Sequence, residues 1–99
     1  MDREKLRELK EALDLEQVQV ILFGSRARGD FYPDSDWDIA IISPEFEGLN
    51  RGQRYQNVWR VVRRFVDGEY DIVTYTPEEY EKGKDGSLPE HIEKEGIKV

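Results

Sequence analysis

Three aspartates and a glycine–serine pair are the residues in this sequence best suited to chemistry. Asp36 and Asp38 stand two residues apart where an apolar run begins, so both carboxylates leave the same face of a strand. Two carboxylates held that close repel, and one resists ionising unless a cation lies between them. Ligands made only of oxygen suit Mg²⁺ or Mn²⁺. Asp71 lies at the start of a later run, residues 70–75 (YDIVTY), with Glu69 as its only nearby rival. If the two strands are neighbours, Asp36, Asp38 and Asp71 converge. Three carboxylates around one or two divalent ions serve in-line displacement at a phosphorus centre.

The second half of the constellation precedes the first. Residues 18–23 (VQVILF) run straight into Gly24-Ser25 and then a short helical stretch. Such a junction aims free backbone N–H groups and the positive end of a helix at whatever sits there. Gly24 permits close approach of a phosphate, and Ser25 adds a hydroxyl donor. The ten residues between Ser25 and Asp36 suffice for one helical turn and a return loop joining adjacent strands. Nucleotide phosphates would rest on Gly24-Ser25 while Asp36 and Asp38 hold the bridging metal. Competing motifs fail on named residues. A P-loop needs Lys-Ser/Thr where Asp30-Phe31 stands, and a dinucleotide fingerprint needs Gly where Arg26 stands. A calcium loop needs Gly at Ile39, and its second half would be a hydrophobic strand.

The elements that must position these groups follow from periodicity. Leu6, Leu9 and Leu13 recur at helical spacing, which predicts a helix over 2–14 capped by Asp2. Residues 18–23, 37–42 and 70–75 read as strands, rich in β-branched and aromatic side chains. Tyr55, Val58, Trp59, Val62, Phe65 and Val66 form one stripe, predicting a helix over 50–66 closed by Asp67-Gly68. Thr76-Pro77-Glu78-Glu79 opens another helix with a capping box, and Ser87 with Glu90 repeats that box before a last helix ended by Gly96. The order predicts one α/β (α+β) domain over 1–99, a small mixed β-sheet covered by helices.

Composition excludes several classes. The chain has 99 residues, with 22 acids against 15 bases and a net charge of −7, which disfavours direct nucleic-acid binding. It has no Cys, so disulfides, thiol nucleophiles and Cys-based zinc sites are excluded, and His91 stands alone. The charged N-terminus does not read as a signal peptide, and no apolar run reaches membrane-span length. A cytoplasmic location is the expectation.

Residues 24–42 (GSRARGDFYPDSDWDIAII) resemble the signature of the minimal nucleotidyltransferases, small members of the DNA polymerase beta-like superfamily: Gly-Ser, ten residues, Asp-x-Asp, then a third Asp on a strand. The resemblance spans essentially the whole chain and implies a polymerase beta-like palm fold. Carried over, Gly24 and Ser25 contact phosphate, Asp36 and Asp38 bind metal, and Asp71 is the third carboxylate, binding metal and helping to activate the attacking hydroxyl. Arg28 occupies the family's Arg and steadies phosphate or the loop. The resemblance further implies two Mg²⁺ ions and ATP as donor. It also implies the antitoxin role of a toxin–antitoxin system, with AMP transferred to a Tyr of a HEPN-domain toxin. A chain this short leaves nothing over for an acceptor domain, so a partner protein or a second copy in a homodimer is expected to complete the cleft. The alternative is a non-catalytic module that neutralises a partner by contact. Transfer to RNA or to a small molecule is a third, weaker reading.

Other residues have plainer expectations. Arg26 reads as exposed, and Arg51, Arg54, Arg60, Arg63 and Arg64 as a solvated helix face laced with ion pairs. Trp37 and Trp59 read as core or interface anchors, and His91 as a surface helix residue.

Overall fold

Leu6, Leu9 and Leu13 fall on one side of α1 (Arg3–Leu13) in the computed structural model, which describes residues 1–99, and all three are buried. The Asp2 carboxylate caps this helix by accepting from the Lys5 N–H at 2.8 Å. The chain continues through β1 (Gln19–Phe23), α2 (Ser25–Arg28), β2 (Trp37–Ile42), a 3₁₀ turn (Pro44–Phe46), α3 (Arg51–Val62) and β3 (Tyr70–Tyr75). It ends with α4 (Pro77–Gly83), α5 (Leu88–Glu95) and β4 (Ile97–Lys98). The four strands form one sheet in the order β3-β2-β1-β4. β2 and β3 are parallel, joined by the α3 crossover, while β1 runs antiparallel to both β2 and β4. This is the mixed, helix-covered sheet that the sequence implies.

Strand alternation divides the core into two layers. Val20, Leu22, Ile39 and Ile41 face α1 and α3, meeting Leu6, Leu9, Val58 and Val62. Ile21, Ala40 and Ile42 face the other way, meeting Tyr80 of α4 and Ile92 of α5. Asp38 precedes Ala40 and Ile42 by even steps, so it belongs to the α4–α5 face.

Four local details differ from expectation. α3 stops at Val62 rather than Val66, because the Arg64 and Phe65 N–H groups bond three residues back, to Val61 and Val62, and tighten the exit. The second capping box does not form: the Ser87 side chain caps nothing, and the Glu90 carboxylate pairs with Lys94. β4 has no periodic signal because it is two residues long; it is drawn onto β1 at Gly96, where a Cβ would sit 2.4 Å from Ile21 Cγ2. The 3₁₀ turn, with Phe46 fully buried, is likewise too short to show a pattern.

The basic helix face is also not what its charges suggest. Arg54 is buried and donates to both oxygens of Glu79 at 2.7 and 3.1 Å and to Leu49 O at 2.9 Å. Arg51, Arg60, Arg63 and Arg64 have no carboxylate within ion-pairing distance. Replacing Arg54 by Ala strands the Leu49 carbonyl and removes the buried stem, so urea denaturation is expected to show a loss of about 2 kcal/mol. A variant as stable as the parent would show the pair to be idle.

Candidate active site

Phe23 is the last residue of β1 and lies opposite Asp38 in the antiparallel ladder. The chain then turns at Gly24, with φ +75° and ψ −159°, into the single turn of α2. A backbone in that region favours Gly. The reason for Gly is also spatial, because a Cβ at this position would lie 2.2 Å from Asp38 Oδ2. The turn that presents backbone N–H groups is therefore in contact with the carboxylate of Asp38. The Ala27 and Arg28 N–H groups both bond Gly24 O. Those of Ser25 and Arg26 have no partner within the helix and are available to an anion.

The carboxylates gather at the same end of the sheet. Asp38 and Asp71 are directly opposite one another across the parallel β2–β3 ladder, so their side chains share a face. Asp36 lies two residues before Asp38, just outside the strand, and is exposed. Burial raises the Asp38 carboxyl above its ordinary range, and the charges of Asp71 and then Asp36 raise it further, while Arg28 acts in the opposite sense. None of the three aspartates takes part in an ion pair of the chain. The expected convergence of three carboxylates on one point is not reached, since no group of three or more acidic or His side chains is placed so that it could hold a metal ion. The donor set is nonetheless all oxygen, unneutralised and mutually repelling, which fits a hard divalent cation.

Two arginines hold the surrounding loop. Arg26 is half-buried rather than exposed: its guanidinium lies 4.5 Å from the centre of the Phe31 ring and 4.2 Å from that of Trp37. It donates to Ser35 O at 3.0 Å and Pro33 O at 3.1 Å. It thereby ties α2 to the segment that delivers Asp36 and Asp38. The aromatic residues at 31 and 37, one on each side of that loop, are the sequence signal for this clamp. Trp37 itself is anchored by its indole N–H on Asp67 O at 2.9 Å. Arg28 stays at the surface, held by Glu95 of α5 at 3.1 Å and by Asp30, whose hydrogen bonds push its guanidinium above the ordinary value. His91 is exposed, as expected.

Arg26→Ala is expected to lower transferase activity by about ten- to a hundredfold with a smaller loss of stability. Arg26→Lys should restore little, because an ammonium does not reproduce a planar group stacked between two rings. Full activity in Arg26→Lys would show that charge alone suffices.

Comparison with known proteins agrees with this geometry. The nucleotidyltransferase domain family matches residues 3–99. A Methanocaldococcus jannaschii protein described as a candidate protein adenylyltransferase is 35% identical over 91 residues, covering 92% of this chain and 83% of that protein. A candidate nucleotidyltransferase from Sulfolobus solfataricus, solved at 1.40 Å, shares 27% identity with a TM-score of 0.57 over 96% of this chain and 72% of its own. A toxin–antitoxin structure with AMP-PNP shares the fold at a TM-score of 0.66 and 20% identity, over 99% of this chain and 72% of that one. No helix here is long and apolar enough to cross a membrane. Gly24 against Asp38, Asp38 beside Asp71, and a family match over nearly the whole chain lead to one identification: this chain belongs to the nucleotidyltransferase domain family and is a nucleotidyltransferase.

Proposed function

We propose that this chain transfers AMP from ATP to a hydroxyl of a partner protein, a Tyr of a HEPN-type toxin, and so acts as the antitoxin of the pair. The observation that carries the reading is the contact of the Gly24 turn with Asp38, in register with Asp71. The 35% relative supports adenylyl transfer to protein. The HEPN partner rests on the resemblance to minimal nucleotidyltransferases.

Gly24 and Ser25 would receive the donor's phosphates on main-chain N–H groups and the Ser25 hydroxyl, with Arg28 adding positive charge from α2. Asp36, Asp38 and Asp71 would hold Mg²⁺ or Mn²⁺, which when bound neutralises the phosphate oxygens and polarises the α-phosphorus. Asp71 stands on the outermost strand with its carboxylate exposed, so an incoming hydroxyl reaches it from solvent and can give up its proton there. The hydroxyl oxygen then bonds the α-phosphorus, the bond to the bridging oxygen breaks, and pyrophosphate leaves with its electron pair. Loop packing by Arg26 keeps Asp36 and Asp38 in place through this exchange.

Intact-mass measurement tests the reading: the chain is incubated with ATP, Mg²⁺ and the product of the adjacent gene. One added AMP on the partner is expected, absent with Asp38→Ala. No adduct, or an undiminished one in the variant, overturns it. Contact alone is the competing reading, favoured by the unpaired arginines of α3. Full neutralisation of the partner by an Asp36→Ala/Asp38→Ala double variant would establish that reading instead.

A further inference from the structure

β3 is the terminal strand of the sheet, and its outer edge is paired with nothing. The Trp37 N–H bonds Glu69 O and the Ser43 N–H bonds Tyr75 O. In a parallel ladder the residues bonded to the neighbour alternate. Asp71, Val73 and Tyr75 therefore turn their main-chain groups toward β2, while Tyr70, Ile72 and Thr74 turn theirs outward. One outward group has a side-chain partner, and it fits this parity: Thr74 O accepts from Arg54 at 3.5 Å. The Arg54–Glu79 pair joins α3 to α4 at that end and closes it off.

Ile72, Val73, Thr74 and Tyr75 of this strand form the floor of a groove of about 1020 Å³, walled on one side by the first half of α3 and on the other by the α4–α5 corner. Tyr55 on one wall and Leu88 on the other are each 40% exposed. Six residues of strand give an edge of roughly 20 Å, enough to pair with an extended segment of similar length. A basic rail runs beside it. Arg51 acts on Tyr75 at one end of β3 and Arg63 on Tyr70 at the other. Arg63 also lies over the Trp59 ring, at 5.6 Å. These cations have no carboxylate of their own in a chain of net charge −7. Asp71 lies just outside the groove, next in the chain to Ile72, which lines it.

We propose that the open edge of β3 is the docking site for an extended acidic segment of the acceptor protein, which adds to the sheet as a further strand with its carboxylates on Arg51 and Arg63. This rests on the protein-acceptor reading above and gives it a path, since a strand laid on this edge passes Asp71. Main-chain pairing supplies affinity and the rail supplies selection. A second copy of this chain is a poorer occupant, because a symmetric β3–β3 pairing sets two basic rails against each other. A polynucleotide would use the rail but not the alternating N–H and C=O groups of the edge.

Amide hydrogen exchange of the full chain tests this with a blocked synthetic peptide of alternating Glu and Val around one Tyr, and with its Lys-for-Glu counterpart. The Glu peptide is expected to slow exchange at Ile72 and Thr74 by about tenfold or more while leaving Val73, already bonded to β2, unchanged. Arg51→Glu/Arg63→Glu should weaken Glu-peptide binding by about tenfold. Thr74→Pro removes an outward N–H without touching the β2 ladder, and is expected to lose the peptide yet keep a cooperative melt. No protection by the Glu peptide overturns the proposal, as does equal protection by the Lys peptide. Concentration-dependent protection without peptide assigns the edge to a second copy, and rail-dependent binding of a short oligouridylate without edge protection assigns the rail to RNA; either overturns it. The readout is independent of catalysis: peptide protection together with no AMP adduct on the partner protein would refute the proposed function and leave the docking site standing.

Discussion

Asp38→Asn is expected to lower nucleotidyl transfer by about a thousandfold or more while making the fold harder to unfold. The activity loss follows from removing the central member of the carboxylate group, since charge stabilisation of this kind contributes several kcal/mol at the transition state. The gain in stability follows from the site's electrostatics. Burial, Asp71 and Asp36 together hold the Asp38 carboxyl above its ordinary value of 3.8. Folding therefore disfavours the ionised form, and the resulting destabilisation is fully present at pH values above the raised pKa. It fades as pH falls through that value and is absent below 3.8. Asn carries no charge, so in EDTA the variant should melt above the parent at pH 7, with the gap closing in acid. Equal or lower melting at pH 7 would show that neither burial nor the neighbouring aspartates penalise the Asp38 charge. Retained transfer would remove Asp38 from the chemistry.

Gly24→Ala should be nearly as damaging, for two separable reasons. A residue with a Cβ is strained at φ +75°, at a cost of about 1–3 kcal/mol. The added methyl would also lie 2.2 Å from Asp38 Oδ2, so the carboxylate must move. Displacement of a reacting group by about 1 Å typically costs a hundredfold, which is the loss expected in transfer. Gly29→Ala separates the two causes, because Gly29 has φ +93° but no atom within 4 Å of the place a methyl would take. That variant should lose stability and retain most of its activity. Thermal melts and transfer rates measured on both variants decide the matter. Equal activity losses would assign the effect to backbone strain alone.

Long elements were legible in the sequence because their periodicity is forced by one buried face. Leu6, Leu9 and Leu13 reported α1, and Val58 and Val62 reported α3. The capping residues Asp2 and Thr76 marked helix starts because their side chains meet local N–H groups, a contact contained within a few residues. Gly24-Ser25 and Asp36-x-Asp38 were legible for the same reason: a turn and a two-residue alternation are local geometry. Asp71 was nameable only on the condition that its strand neighbours that of Asp38, a condition the β2–β3 register now meets.

Long-range contacts were not legible. Arg54 and Arg60 have the same residue type on the same helix, yet one is buried against Glu79 and Leu49 and the other lies open over Trp59. Their difference depends on where α4 packs. Arg26 looked like a surface residue because its partners, the Phe31 and Trp37 rings and the Ser35 carbonyl, come together only when the loop folds back. By itself the sequence determined which residues make up the candidate site: three carboxylates, a Gly-Ser turn, and the spacing that joins them. Tertiary structure alone decided that β3 lies at the edge of the sheet, which leaves Asp71 exposed and sets part of the strand in a groove beside α3. Strand order is a property of packing between distant segments, and no local pattern of residues encodes it.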